Sequence, residues 1–205
     1  MKLYFVRHGE STANLLMEFC NGSNRHPLTK TGIAQARATV SNLHGITIDR
    51  IYTSPVLRAM QMAQILSDEL RAPLEISEAL REWSVGIYEG TSDPLGWELY
   101  SQVQEDWFVY HKLESKLPGG ESYSEIRERF VPFINKLLQN GIGSQKNIVL
   151  VGHGGLYTAM LPVIFCNVTH DFACRHGYSY TATAVAEPRP EGLYCISWCG
   201  VKIDG

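Results

Sequence analysis

Apolar positions along the chain recur with two periods. Short continuous runs, the mark of buried strands, alternate with stripes at helical spacing. Leu3 to Val6 is the first run. It stops at Arg7-His8-Gly9, and Ser11 or Thr12 caps a helix expected to reach about Phe19. Cys20 to Thr31 is a loop of Asn, Gly, Ser and Pro. Ile33, Ala36, Val40 and Leu43 form the stripe of a second helix, with Gly45 as its stop. Arg50 to Thr53 is a second strand, after which Ser54-Pro55 opens a helix with Pro in its first turn. The stripe of that helix is Ala59, Met62/Ala63, Leu66 and Leu70, and Leu74 to Ile76 is a third strand.

Residues 80–120 are less regular and hold Trp83, Trp97 and Trp107 among several glycines. A helical piece from Gly96 to His111 is expected there, overhanging whatever the strand ends present. Ser122 and Glu125 form a capping box ahead of a face of Ile126, Phe130, Ile134 and Leu137. Asn147 to Val151 is an apolar strand running into Gly152-His153-Gly154-Gly155 and a helix from Leu156 to Phe165. Thr181 to Ala186 and Leu193 to Trp198 close the chain as a hairpin about Pro188 to Gly192. Strands alternating with helices predict a three-layer α/β/α fold. Its sheet is mostly parallel with helices on both faces, ends in a C-terminal hairpin, and makes residues 1–205 one domain.

Composition narrows the function. With 205 residues, 44% apolar, 19% charged and a net charge of −3, the chain has an ordinary globular make-up and no basic run. Nucleic acid and anionic membrane are therefore not its expected partners. No apolar stretch reaches transmembrane length, and no signal-like segment precedes the first strand. Five cysteines without CxxC spacing read as reduced thiols of a cytoplasmic protein. His170, Cys174 and His176 are a loose grouping in an expected loop and lack zinc-ligand spacing, so no metal and no cofactor are expected.

The chemistry gathers at strand ends. In an open parallel sheet, side chains just past the carboxyl ends face the ligand crevice. The first strand delivers Arg7 and His8 there, the second leads to Arg58 on the following helix, and Val149 to Val151 delivers His153 and Gly154. Two guanidinium groups and two imidazoles around one point repel unless an anion lies between them. Arg and helix-start amides are suited to phosphate oxygens.

Arg7-His8-Gly9-Glu10-Ser11 resembles the Arg-His-Gly signature of the histidine phosphatase superfamily, the phosphoglycerate mutase-like proteins. Leu80-Arg81-Glu82-Trp83-Ser84-Val85-Gly86-Ile87-Tyr88-Glu89-Gly90 resembles the stretch whose first Glu is the family's general acid/base, and Pro118 to Ser122 matches its small phosphatases. Four motifs, those of Arg7-His8, Arg58, Glu82 and Gly152-His153-Gly154, occur in the family's order. His26 departs from the pattern, in which an acidic residue stands one place before the Pro; that position is expected to be structural.

The resemblance implies that His8 is the nucleophile and is phosphorylated. It implies that Arg7, Arg58 and a doubly protonated His153 hold phosphate oxygens, and that Glu82 exchanges a proton with the leaving group. Ser11, Asn14, Gly22, Ser23 and Gly154 then fall at further substrate-contacting positions. Two outcomes share these residues. A phosphatase passes the phosphoryl group to water, with a small phosphate monoester as substrate, whereas a mutase returns it to a bound phosphoglycerate. Glycolytic mutases of the family carry a basic insertion after the Glu motif. Residues 91–117 hold only Lys112 and Lys116 and are aromatic instead, through Trp97, Tyr100, Trp107, Phe108 and Tyr110. The phosphatase is therefore the expected outcome, with the mutase and a weakly catalytic phospho-ligand binding or scaffold module as alternatives. A homodimer through the edge of the C-terminal hairpin is a further expectation.

Overall fold

The structure, a computed structural model, describes residues 1–22, 25–141 and 145–203. Seven strands form one sheet: β1 (Lys2–Arg7), β2 (Arg50–Thr53), β3 (Leu74–Ile76), β4 (Asn147–Gly152), β5 (Thr183–Arg189), β6 (Gly192–Trp198) and β7 (Val201–Lys202). Their order is β3-β2-β4-β1-β5-β6-β7. The first four run parallel, and β5, β6 and β7 add antiparallel. The helices are α1 (Thr12–Leu16), α2 (Lys30–Leu43), α3 (Leu57–Leu70), α4 (Pro94–Phe108), α5 (Tyr123–Gly141), α6 (Gly154–Ile164) and α7 (His170–His176).

The pleat of β1 explains the layers. Leu3 and Phe5 pack into a core with Trp83, Trp107, Ile126, Phe130 and Leu156, under α4, α5 and α6. Tyr4 and Val6 point the other way, to Ala36, Val40, Ala59, Met62 and Leu66 of α2 and α3. A strand buried on both faces must be apolar throughout, which is why Leu3 to Val6 reads as an unbroken run.

Several elements depart from the sequence reading. The first helix ends at Leu16, not near Phe19, because Met17 turns left-handed (φ 50°). Leu15, Leu16 and Met17 are exposed, so a longer helix would bury nothing there. The turn instead drives Phe19 inward onto Trp97, with ring centroids 3.9 Å apart. Pro55 precedes α3 rather than sitting in its first turn, since Val56 is the cap. The expected Gly96–His111 piece begins earlier, at Pro94, capped by Asp93. The helix expected from Leu156 starts at Gly154.

Residues 170–176, read as a loop, are helical. The Thr169 hydroxyl accepts from the Phe172 N–H, and Gly177 ends the helix. Strand β5 runs through Pro188 to Arg189, beyond the expected end at Ala186. β1 pairs only with Thr183 to Ala186, so Pro188 needs a partner on one side alone. β7 is a further short strand beyond the hairpin.

Among the described residues, no helix is long and apolar enough to cross a membrane. The loose histidine–cysteine grouping does not converge. His170 Nε2 lies 2.7 Å from the Tyr123 hydroxyl and 3.0 Å from the Ala159 carbonyl, His176 packs on Phe172, and Cys174 is exposed. No group of three His, Cys, Asp or Glu able to hold a metal ion occurs among the described residues.

Candidate active site

β1, β2 and β4 are parallel, and Arg7 pairs in register with Gly152, so their carboxyl ends share one edge. His8 follows β1 directly, His153 caps α6 directly after β4, and Arg58 lies in the first turn of α3 after β2. These three residues and Arg7 converge on a cavity of about 370 Å³. Arg7, His8, Asn14, Arg58, Glu82 and Gly154 line it. His153 stands directly behind, its ring centroid 5.1 Å from that of His8.

The hydrogen bonds fix the protons. His8 Nδ1 donates to the Gly9 carbonyl at 2.7 Å, which leaves the Nε2 lone pair facing Arg58 Nε at 2.9 Å. Burial, then the Arg58 and Arg7 charges, hold the His8 pKa well below its ordinary value. The ring is therefore a neutral base. Arg58 Nη2 meets His153 Nδ1 at 3.2 Å, and His153 Nε2 donates to the Ser54 hydroxyl at 2.8 Å. His153 thus carries one proton, and burial followed by the Arg58 charge depresses its pKa well below normal. The doubly protonated His153 expected from the resemblance is not what this arrangement favours, because a buried imidazolium would face a guanidinium.

Arg58 is 5% exposed and spends Nη1 on the Cys20 carbonyl. Arg7 spends Nη1 on the Tyr178 carbonyl, and its guanidinium carbon lies 4.5 Å over the Tyr180 ring. Its Nε is buried with no partner among the described residues. A Cβ on Gly154 would lie 3.0 Å from that guanidinium, so a side chain there would push Arg7 aside by a few tenths of an ångström. Arg7 is thus pinned by one arm, and Arg58 through all three of its nitrogens, by His8, the Cys20 carbonyl and His153; the second N–H of each terminal nitrogen is left over beside the His8 ring. That is the donor set of a tetrahedral oxyanion.

Glu82 completes the set. Its Oε1 accepts from the Trp83 N–H at 3.1 Å and its Oε2 from the Gly155 N–H at 2.9 Å. Burial raises its pKa, although these two bonds and both arginines oppose the shift. It is a carboxyl group able to hold a proton above the usual carboxylate range, beside a phosphate-sized pocket.

Other expected residues fall elsewhere. Ser11 is fully buried and does not line the cavity; its hydroxyl and N–H both donate to Asn14 Oδ1. Gly22 does not line it either, and its N–H goes to Glu89 Oε1, which fixes the loop. Ser23 lies outside the described residues. His26 does not line the cavity; it bridges the Thr12 hydroxyl and Glu18 Oε1 behind the wall, so the departure from the motif keeps a structural role. Sequence reasoning missed Glu18, Gln104, Thr158 and Tyr178 on the wall. The helical spacing of Trp97, Tyr100 and Gln104 could have found Gln104. A backbone carbonyl such as that of Tyr178 leaves no sequence signal.

A family model described as the histidine phosphatase superfamily (branch 1) matches residues 3–199. "Putative phosphoserine phosphatase 2" of Hydrogenobacter thermophilus is 32% identical over 160 residues, 78% of this chain and 76% of that protein. "Probable phosphoglycerate mutase GpmB" of Yersinia pestis is 29% identical over 157 residues, 75% of this chain and 70% of that protein. The crystal structure of the alpha-ribazole phosphatase from Shigella flexneri superposes with a TM-score of 0.79 at 20% identity. The superposition covers 100% of this chain and 99% of that one. A phosphohistidine mechanism is general to this family. With a family match over nearly its whole length and the same fold, this chain belongs to the histidine phosphatase superfamily.

Proposed function

We propose that the chain is a metal-independent phosphate monoesterase, acting on a small phosphorylated molecule through phosphohistidine at His8. The observation that carries this reading is the neutral His8 on the cavity wall, its Nε2 lone pair kept unprotonated and accepting from Arg58 Nε, a donor that a bound phosphate oxygen would take over, with the unpartnered Nε of Arg7 close by.

In the first step the His8 Nε2 lone pair forms a bond to phosphorus as the ester P–O bond breaks. Arg7, Arg58 and His153 bind the non-bridging oxygens, and a bound dianion favours a second proton on His153. Glu82 gives its proton to the departing oxygen. In the second step water attacks phosphorus, the P–N bond breaks, and Glu82 takes the water's proton. Inorganic phosphate leaves with His8 neutral again. Asn14, with Oδ1 held by Ser11, and Gly154, packed against Arg7, serve as substrate-positioning groups. Gly22 serves indirectly, through the loop that Glu89 anchors, and Ser23 is assigned to substrate by its motif position alone.

The relative named as a phosphoglycerate mutase supports a second reading. Against it, α4, the helix over the cavity, carries no Lys or Arg with which to hold a doubly anionic substrate. Free cysteines favour a cytoplasmic setting, residues 1–205 act as one unit around one sheet, and the edge at β7 would serve a homodimer.

The test is phosphate release from a panel of monoesters in excess EDTA, with wild type and His8→Ala in parallel and isomerisation of 3-phosphoglycerate followed alongside. Wild type should release phosphate and His8→Ala should lose about 10³-fold or more. A loss under about tenfold removes His8 as nucleophile, and inhibition by EDTA that metal restores removes the metal-free reading.

A further inference from the structure

The cavity has a second wall, built by α4 and α6, that reaches from the Arg7 guanidinium out past Glu82. α4 turns Trp97, Tyr100 and Gln104 into it, at spacings of three and four residues. α6 turns Gly154, Gly155 and Thr158 toward them. Both stripes border Glu82. The Gly155 N–H donates to its carboxylate, and Tyr100 stacks on the neighbouring Trp83 at 4.4 Å. On the phosphatase reading Glu82 protonates the leaving oxygen, so this wall receives the rest of the substrate.

Its chemistry is specific. Gln104 and Thr158 are half-buried, and neither side chain has a hydrogen-bond partner among the described residues. Of the polar atoms nearby, Asn14 Oδ1 is committed to Ser11 and the Glu18 carboxylate to Arg25 and His26. The cations lining the cavity are Arg7 and Arg58, both on the phosphate side; the remaining charged groups are the carboxylates of Glu18 and Glu82. With Arg7 and Arg58 engaged by the phosphate and Glu18 paired to Arg25, a second anion on the substrate would find no unengaged cation among the described lining residues to offset its desolvation.

We infer that the leaving group is uncharged and hydroxyl-bearing, a polyol or sugar, and that Gln104 and Thr158 determine specificity by hydrogen-bonding its hydroxyls. This rests on the phosphatase reading and narrows it. An amide and a hydroxyl with free capacity, flanked by aromatic rings, satisfy vicinal hydroxyls at modest cost.

A matched pair tests it. Glycerol 3-phosphate and 3-phosphoglycerate differ in a hydroxymethyl group against a carboxylate, and p-nitrophenyl phosphate reports phosphoryl transfer apart from either. Wild type should prefer glycerol 3-phosphate over 3-phosphoglycerate by at least about tenfold in kcat/KM. Gln104→Leu and Thr158→Val should each lower the ratio of glycerol phosphate to aryl phosphate by about 2- to 10-fold. Gln104→Lys should raise 3-phosphoglycerate relative to glycerol phosphate. Equal or better use of 3-phosphoglycerate or phosphoserine by wild type overturns the inference, as do ratios within twofold of wild type in both single variants. No release from the aryl phosphate overturns the phosphatase reading itself, and this inference with it.

Discussion

The sharpest test of the acid–base assignment is a methyl group placed beside Glu82. In Gly155→Ala the new Cβ would lie 2.9 Å and 3.0 Å from the two Glu82 oxygens and 2.8 Å from Trp83 Nε1. Ordinary contact begins near 3.4 Å, so the carboxyl group must withdraw by about 0.5 Å. Two effects follow. The Gly155 N–H to Oε2 bond, 2.9 Å in the native site, stretches out of range. A hydrogen bond to a charged group is worth about 1.5–3 kcal/mol, and it stabilises the ionised form. Its loss raises the Glu82 pKa by about 1–2 units at 1.36 kcal/mol per unit. The acid also moves off the leaving oxygen, and since about 1 Å of misplacement costs about 100-fold, half of that costs about tenfold.

The assay is kcat against pH for an alkyl and an aryl phosphate. The acid must be protonated to act, so kcat for the alkyl ester falls as pH rises through the Glu82 pKa. In the variant that alkaline limb should move upward by 1–2 pH units, with about a tenfold lower plateau. The aryl ester, whose leaving group needs no proton, should lose less than about threefold. Equal losses on both esters, or an alkaline limb that stays in place, would refute the proton-donor role.

Tyr180→Leu should weaken inhibition by inorganic phosphate about 5- to 30-fold while Tyr180→Phe preserves it, since the ring face, not the hydroxyl, lies under Arg7. Leu and Phe variants that behave alike would remove the ring from phosphate binding. His8 and His153 are held neutral in the fold, their pKa values below the ordinary 6.5, so their contribution is present above about pH 6.5 and is lost as pH falls. Each contributes up to about 1.4 kcal/mol per pH unit, partly offset by Glu82, whose raised pKa lets the folded protein keep a proton there. Tm should therefore drop between pH 7 and 5.5, and drop less in His8→Asn/His153→Gln; an equal drop in the double variant would count against the buried neutral pair.

Much of this architecture is legible in the chain itself. The Arg50 to Thr53 and Leu74 to Ile76 strands fall where apolar runs and flanking prolines put them. Ile126, Phe130, Ile134 and Leu137 face the core as their spacing requires. The reading failed where tertiary demands outweighed local signals. Nothing in Ala13 to Glu18 says that a helix should stop at Leu16; the reason is Phe19, which must reach Trp97. The seven residues from His170 are helical, and Thr169, Asp171 and Gly177 mark both ends of that helix in the sequence. In the candidate site, Arg7, His8, Arg58, Glu82 and His153 announce themselves because they are charged or titratable and sit at strand ends or in motifs. Tyr178 and Tyr180 do not, because one acts through a carbonyl and the other through a ring face, and neither constrains its neighbours in sequence.

The position of β1 also sets a schedule for biosynthesis. It leaves the ribosome well ahead of its partners on either side, β4 and β5, whose pairing residues begin at Asn147 and Thr183. At about 5–20 residues per second, Leu3 to Val6 waits roughly 10–35 s for its second neighbour. Until β4 emerges a short, uncharged, β-prone segment has both edges open, and until β5 emerges it keeps one open, the state most exposed to pairing with another chain. The Arg7 guanidinium is seated by the Tyr178 carbonyl, 171 residues later. A nascent chain therefore carries Arg7 and His8 long before it has the carbonyl that seats the Arg7 guanidinium.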